Sequence, residues 1–157
     1  MAEYQRKYHK ERRHRDIIYK MRTYISTHIL IALKANGGSK RGYSIMEFLP
    51  YTIEQLKEYI ESLFEPWMTW ENHGKYNRST WNDPDPSTWT WQIDHIIPHS
   101  FFHYASMDCQ TFQDCWALSN LRPYSAKQNV LDGNRRQIEK QSSEPDKEAG
   151  NNERSRT

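Results

Sequence analysis

Apolar positions along the chain fall into two helical stripes and one alternating run, separated by long polar stretches. Ile18, Met21, Ile25, Ile29 and Leu33 recur at three- and four-residue steps, which predicts an amphipathic helix over 16–34, stopped by Gly37-Gly38. Thr52 and Gln55 form a capping-box pattern ahead of Ile53, Leu56, Tyr59, Ile60 and Leu63, a second helix that Pro66 is expected to end. From Glu65 to Pro86 the chain is rich in Pro, Gly, Asn and Trp and reads as loop. Trp89-Thr90-Trp91-Gln92-Ile93 alternates with period two, predicting a strand that runs straight into Asp94-His95-Ile96-Ile97-Pro98. Phe112, Cys115 and Trp116 predict a short helix from near Asp108. Another is expected after Pro123, with Ser125 as N-cap, Gln128 as its capping-box partner and Gly133 as its stop. From Ser142 onward no apolar residue is larger than Ala, so this tail is expected to be disordered.

Composition changes what fills the core. The 157 residues suit one domain, but Val130 is the single valine, so the interior must rely on Trp, Tyr, Phe and Ile. Aromatic content of 13% and a net charge of only +2 exclude global disorder. Cys109 and Cys115 cannot build a disulfide framework, and no Cys-x-x-Cys pair marks a structural zinc site, so none is expected and the thiols read as reduced and intracellular. The chain opens on a basic run rather than a signal peptide, and no stretch approaches the roughly 18 apolar residues of a membrane span. A soluble cytoplasmic protein, with no membrane partner, is the expectation.

The small net charge hides segregation. Residues 1–41 carry eleven Lys+Arg and three Asp+Glu, whereas 42–94 carry three and nine. Arg6, Lys7, Lys10, Arg12, Arg13 and Arg15 belong to a basic arm that is either a phosphate-binding element or a solvated helical face.

Four residues carry candidate chemistry. Asp94-His95 stands at a strand end, Asn120 follows after 24 residues and Asn129 after a further 8. Asp94 offers an anionic oxygen and Asn129 a carbonyl oxygen, a ligand set suited to Mg²⁺ that keeps waters and takes phosphate oxygens. An imidazole, with a reference pKa of about 6.5, can take a proton from water near neutral pH. Neighbours in a strand point to opposite faces, so joint use of Asp94 and His95 requires the strand to bend or end there, as Pro98 allows. Residue by residue, a structural or solvated Asp-His pair remains the competing reading.

The segments Trp91-Gln92-Ile93-Asp94-His95-Ile96-Ile97-Pro98-His99-Ser100-Phe101 and Cys115-Trp116-Ala117-Leu118-Ser119-Asn120-Leu121-Arg122-Pro123, with Asn129 and Gly133-Asn134-Arg135, resemble the HNH endonucleases, especially small stand-alone ones of phages and bacteria. Phe48-Leu49-Pro50-Tyr51-Thr52 and Met68-Thr69-Trp70-Glu71-Asn72 look like the segment preceding the nuclease motif in that group. The resemblance covers roughly 45–136. It implies an α+β chain with a ββα-metal core at about 89–136, two short strands and a helix around one divalent ion. In that pattern His95 matches the general base, Asp94 a metal ligand, and Asn120 the residue that holds the loop between the strands. Asn129 stands where many members have the last His, an HNN variant whose Asp/Asn pair favours Mg²⁺ or Mn²⁺.

The implied organisation is a basic helical arm over 1–41, a nuclease domain over 42–136 and a disordered tail over 137–157. Double-stranded DNA is the expected partner, with a homodimer or phage packaging machinery as further candidates. Arg122, Lys127 and His99 are candidate DNA contacts beside Arg12, Arg13 and Arg15; His99, four residues beyond His95, reads alternatively as a second ligand, with a surface or hydrogen-bonded histidine the favoured reading. Trp89, Trp91 and Trp116 read as core filling rather than base-stacking platforms. The alternative function is a non-catalytic DNA-binding or phage assembly accessory that retains the fold.

Overall fold

In the computed structural model, which describes residues 1–143 and only the backbone at 13–15, the apolar stripe of the first long helix meets the aromatic residues of the alternating run in one core. The basic arm is a helix, α1 (Ala2–Arg15), broken from α2 (Ile17–Ala35) by the extended backbone of Asp16. The Asp16 side chain accepts from the Tyr19 N–H at 3.1 Å, so the residue that breaks one helix caps the next. The α2 stripe buries Met21, Ile25, Ile29 and Leu33.

Two glycines end α2, for different reasons. Gly37 has φ +73°, which suits a residue without Cβ, and the Gly38 N–H reaches back to the Leu33 carbonyl at 2.7 Å. Gly38 has no positive φ, but a Cβ there would lie 1.8 Å from the Ala105 carbonyl oxygen. Backbone approaches backbone at this point, and any side chain would push the two segments apart.

Helix α3 (Ile53–Ser62) has both reciprocal bonds of its capping box, Gln55 N–H to Thr52 Oγ1 at 3.1 Å and Thr52 N–H to Gln55 Oε1 at 2.8 Å. It stops ahead of Pro66, because the N–H groups of Leu63 and Phe64 bond to the carbonyls of Ile60 and Glu61 and tighten the last turn. Leu63 is consequently exposed rather than part of the stripe.

The sheet has two antiparallel strands, β1 (Trp91–His95) and β2 (Leu121–Ser125), in the register Trp91↔Ser125, Ile93↔Pro123, Asp94↔Arg122 and His95↔Leu121. Trp89 and Thr90 fall outside β1, contrary to the alternation. Trp89 follows the turn Pro86–Thr88, and its ring packs against Trp67 and Trp81 in a cluster of its own. Pro123 is tolerated because a two-stranded sheet has only edge strands.

Between the strands, residues 96–120 make an excursion containing a turn at His99–Phe101, α4 (Gln110–Trp116) and a turn at Leu118–Asn120. After β2 comes α5 (Ala126–Ser143), which lies against both strands. Ser125 Oγ accepts from the Gln128 N–H, but the Gln128 amide donates to Asp132 instead of closing the expected box. Gly133 does not stop this helix. A glycine stop uses the left-handed conformation, and Gly133 keeps a negative φ at a helix-interior cost of about 1 kcal/mol. Residues 137–143, expected to be disordered, are therefore helical, and the rest of the tail, 144–157, lies outside the described residues.

The result is a mixed helical chain with one small two-stranded antiparallel sheet. Among the described residues no helix is long and apolar enough to cross a membrane.

Candidate functional site

Strand alternation assigns the residues of β1 to two faces. Trp91 and Ile93 are buried on the core face, while Gln92 and Asp94 stand on the face covered by α5. Asp94 Oδ2 accepts from Arg122 Nε at 2.9 Å across the ladder, and the Arg122 guanidinium lies 3.9 Å from the centre of the Tyr124 ring. The Tyr124 hydroxyl donates to Asp132 on α5 at 2.8 Å, and the Asn129 amide donates to Gln92 Oε1 at 3.4 Å. Asp94, Arg122 and Asn129 thus share one polar face. Burial pushes the Asp94 carboxyl above its usual range; Arg122 and Arg136 pull it back in part, and Asp132 adds a smaller upward push.

His95 is turned the other way. Its ring stacks on His99 with centroids 4.9 Å apart and meets Trp116 edge-on at 4.6 Å. Its Nε2 is buried without a hydrogen-bond partner. Burial first, then electrostatic coupling to His99 and His28, pushes its pKa down to about 3. His99 is pushed down to about 4 by burial and by His28, and its Nε2 bonds to the Tyr104 hydroxyl at 2.8 Å. The Cys115 thiol on α4 is fully buried and is pushed up to about 12 by burial. One ligating atom from each of His95, His99 and Cys115 lies within 4.8 Å of the other two. Cys115 is absent from the sequence-derived site, and His99 enters it as a second ligand or DNA contact set against a surface or hydrogen-bonded histidine. The one signal for the cluster was the pair His95-x-x-x-His99, since nothing in the spacing to Cys115 marks it.

Asn120 joins the two motif segments. Its side-chain oxygen accepts from the Ile97 N–H at 2.8 Å, its amide donates to the carbonyls of Ile97 and Cys115 at 3.3 and 3.0 Å, and its own carbonyl accepts from the Ile96 N–H at 2.8 Å. These bonds pin the start of the 96–120 excursion to its end.

The remaining candidates are dispersed. Lys127 pairs with Asp83 in the loop before β1 at 2.6 Å. The Arg12 guanidinium lies over the Tyr19 ring at 4.8 Å, against α2. The side chains of Arg13 and Arg15 lie outside the described residues.

No protein-family model matches the chain. No solved structure matches it either. An uncharacterized protein, L426 of Acanthamoeba polyphaga mimivirus, is similar to it: 25% identical over 116 residues, 74% of this chain and 43% of that protein. The chain therefore spans less than half the length of this relative.

Oxygen donors dominate the polar face. Asp94 has one carboxylate oxygen engaged by Arg122, and the contact from Asn129 uses its NH₂ group, leaving the carbonyl oxygen for other work. A half-buried carboxylate and a carboxamide oxygen on one face are chemically suited to a small hard cation such as Mg²⁺ or Mn²⁺. The core face offers nitrogen and sulfur instead.

Proposed function

We propose that this chain is a divalent-metal-dependent endonuclease of the HNH type, hydrolysing phosphodiester bonds in double-stranded DNA. The observation that supports this reading most is the convergence of the two motif segments. Asp94 and His95 pair with Arg122 and Leu121 in the ladder, Asn120 clasps the chain just beyond it, and the helix carrying Asn129 covers the Asp94 face. A ββα-metal core would draw the same segments together, and this supports the reading.

In this reading Asp94 and Asn129 hold the ion, which when bound supplies Lewis-acid stabilisation of the phosphate. Arg122, already beside Asp94, supplies a charge-assisted contact to a phosphate oxygen. His95, the last residue of β1, is the base in this reading, and to take the proton from the attacking water its ring must swing from the core face, where it lies against Trp116, toward the face that holds the ion. An imidazole held near pKa 3 is neutral at physiological pH but a weak base. An anionic phosphate beside the ring would oppose the smaller, electrostatic cause of that depression, and the burial cause is relieved only if the ring leaves the core face. The exposed cations Arg6, Lys7 and Lys10 of α1 add sequence-independent affinity by counterion release.

The test is nicking of supercoiled plasmid by the full chain with Mg²⁺ or Mn²⁺, with and without a chelator, alongside Asp94→Ala. Nicking that disappears with chelation and in the variant is the expected result. Chelator-resistant nicking overturns the metal assignment, and DNA binding without nicking under any divalent ion favours the accessory reading.

A further inference from the structure

The core face of β1 carries a second set of ligand atoms, different in kind from the first. We propose that His95, His99 and Cys115 bind a borderline-soft divalent ion of the zinc class, and that this ion silences cleavage by occupying the imidazole of His95. The second clause rests on the nuclease reading; the first does not.

Ligand chemistry separates the two faces. Two imidazoles and a thiolate select zinc-class ions, whereas the carboxylate and carboxamide of the polar face suit Mg²⁺. Among the described residues, His95, His99 and Cys115 are the grouping of three such side chains close enough to share an ion. His95 supplies an independent sign, because its Nε2 is buried with no partner. Buried polar atoms are nearly always satisfied, so an orphaned imidazole nitrogen beside a thiol and a second imidazole points to an absent partner.

The surroundings orient the ligands. His99 has one ring nitrogen tied to the Tyr104 hydroxyl and keeps the other, and that hydroxyl also accepts from Trp116 Nε1 at 3.1 Å. Metal-bound histidines are commonly fixed through the second nitrogen in this way. With zinc–nitrogen and zinc–sulfur distances of about 2.0–2.3 Å, tetrahedral ligands sit about 3.3–3.6 Å apart. The 4.8 Å spread must therefore contract by about 1 Å. His99 opens a single turn after Pro98, outside either strand, where a shift of that size disturbs no ladder bond. Binding displaces the thiol proton of Cys115 to solvent, and three protein ligands leave the fourth position to water. Asp94 and Asn129 remain available to their own ion while His95 is withdrawn from chemistry.

Co²⁺ is the probe. Titrating it into the full chain should produce a thiolate-to-cobalt charge-transfer band at one equivalent. Cys115→Ser and His99→Gln should each weaken that binding about 100-fold, since loss of even an outer partner typically costs 10–100-fold. Cys109→Ser should leave the band unchanged, because that thiol bonds to the Ser106 carbonyl instead. His99→Gln, on the exposed turn, keeps the test readable should Cys115→Ser fail to fold. In parallel, plasmid nicking at fixed Mg²⁺ is measured against added Zn²⁺, each protein relative to its own zinc-free rate. Wild type should be inhibited, and the two ligand variants should need about 100-fold more zinc. No charge-transfer band, or one that survives both variants, overturns the site. A band with nicking that ignores zinc overturns the silencing. A band without any nicking leaves the site standing and removes the nuclease reading.

Discussion

On one face of the β1–β2 hairpin, Trp91 packs against Phe64 and Trp70, Ile93 is buried in the core, and His95 meets Trp116 edge-on. On the other, Gln92, Asp94, Arg122 and Tyr124 are held by α5 through directional side-chain contacts. The energies differ as much as the chemistry. Each fully buried Trp removes about 150–250 Å² from water, roughly 4–6 kcal/mol as an upper bound. The Asp94–Arg122 pair, with the Arg122 side chain 37% exposed, is worth about 1 kcal/mol or less. Stability therefore resides on the core face and the candidate oxygen ligands on the polar one, and the adjacent residues Asp94 and His95 are divided between them.

The sharpest way to break that division is His95→Ala. If His95 serves the polar face as its base, nicking should fall by about 10²–10⁴-fold with DNA affinity little changed, measured in single-turnover assays. A wild-type rate would leave His95 a residue of the core alone.

Acid should attack the core side first. His73, His95 and His99 have folded pKa values pushed down to about 4, 3 and 4, mainly by burial, below an unfolded value near 6.5. Their contribution is fully present above about pH 6.5 and is lost as pH falls toward 3–4, because the unfolded chain takes up protons that the folded one refuses. Urea unfolding across pH 7 to 4 should show this loss, and His73→Phe should make it shallower. A flat profile would mean that the imidazoles are not desolvated.

Asn120→Ala should cost about 2–3 kcal/mol in chemical denaturation, since it leaves the Ile97 N–H and two carbonyls without partners. A loss below about 0.5 kcal/mol would show that the excursion closes without its clasp. The smallest effect belongs to α5. Gly133→Ala should stabilise by about 1 kcal/mol. A Cβ at Gly133 meets nothing nearer than Arg136 at 4.0 Å. Unfolding followed by far-UV circular dichroism reads it, and a lower midpoint would mean that α5 needs its glycine.

The stripes of α2 and α3 were legible because one-sided burial and local caps, Gly37 and Thr52–Gln55, set them without help from distant residues. Trp89 misled because alternation in an aromatic-rich loop looks like a strand, yet its ring belongs with Trp67 and Trp81. Gly133 misled because residue identity does not reveal handedness. At the site, Asp94 and Asn129 stood out through residue type and context. The meeting of His95 and Cys115 depends on how residues 96–120 fold back, which no local periodicity encodes.

That fold-back also has a consequence in time. Pairing His95 with Leu121 closes a loop of 25 residues, and the entropy of closure is spent before any ladder bond compensates it. The loop carries its own apolar load in Tyr104, Met107, Phe112 and Trp116, which share one core cluster with α2 and α3, so loop-closure entropy predicts that this burial precedes the ladder. The two strands, neighbours in space, thus belong to the slow, non-local end of the folding reaction. The chain acquires its stable scaffold before it acquires the hairpin that holds its candidate chemistry.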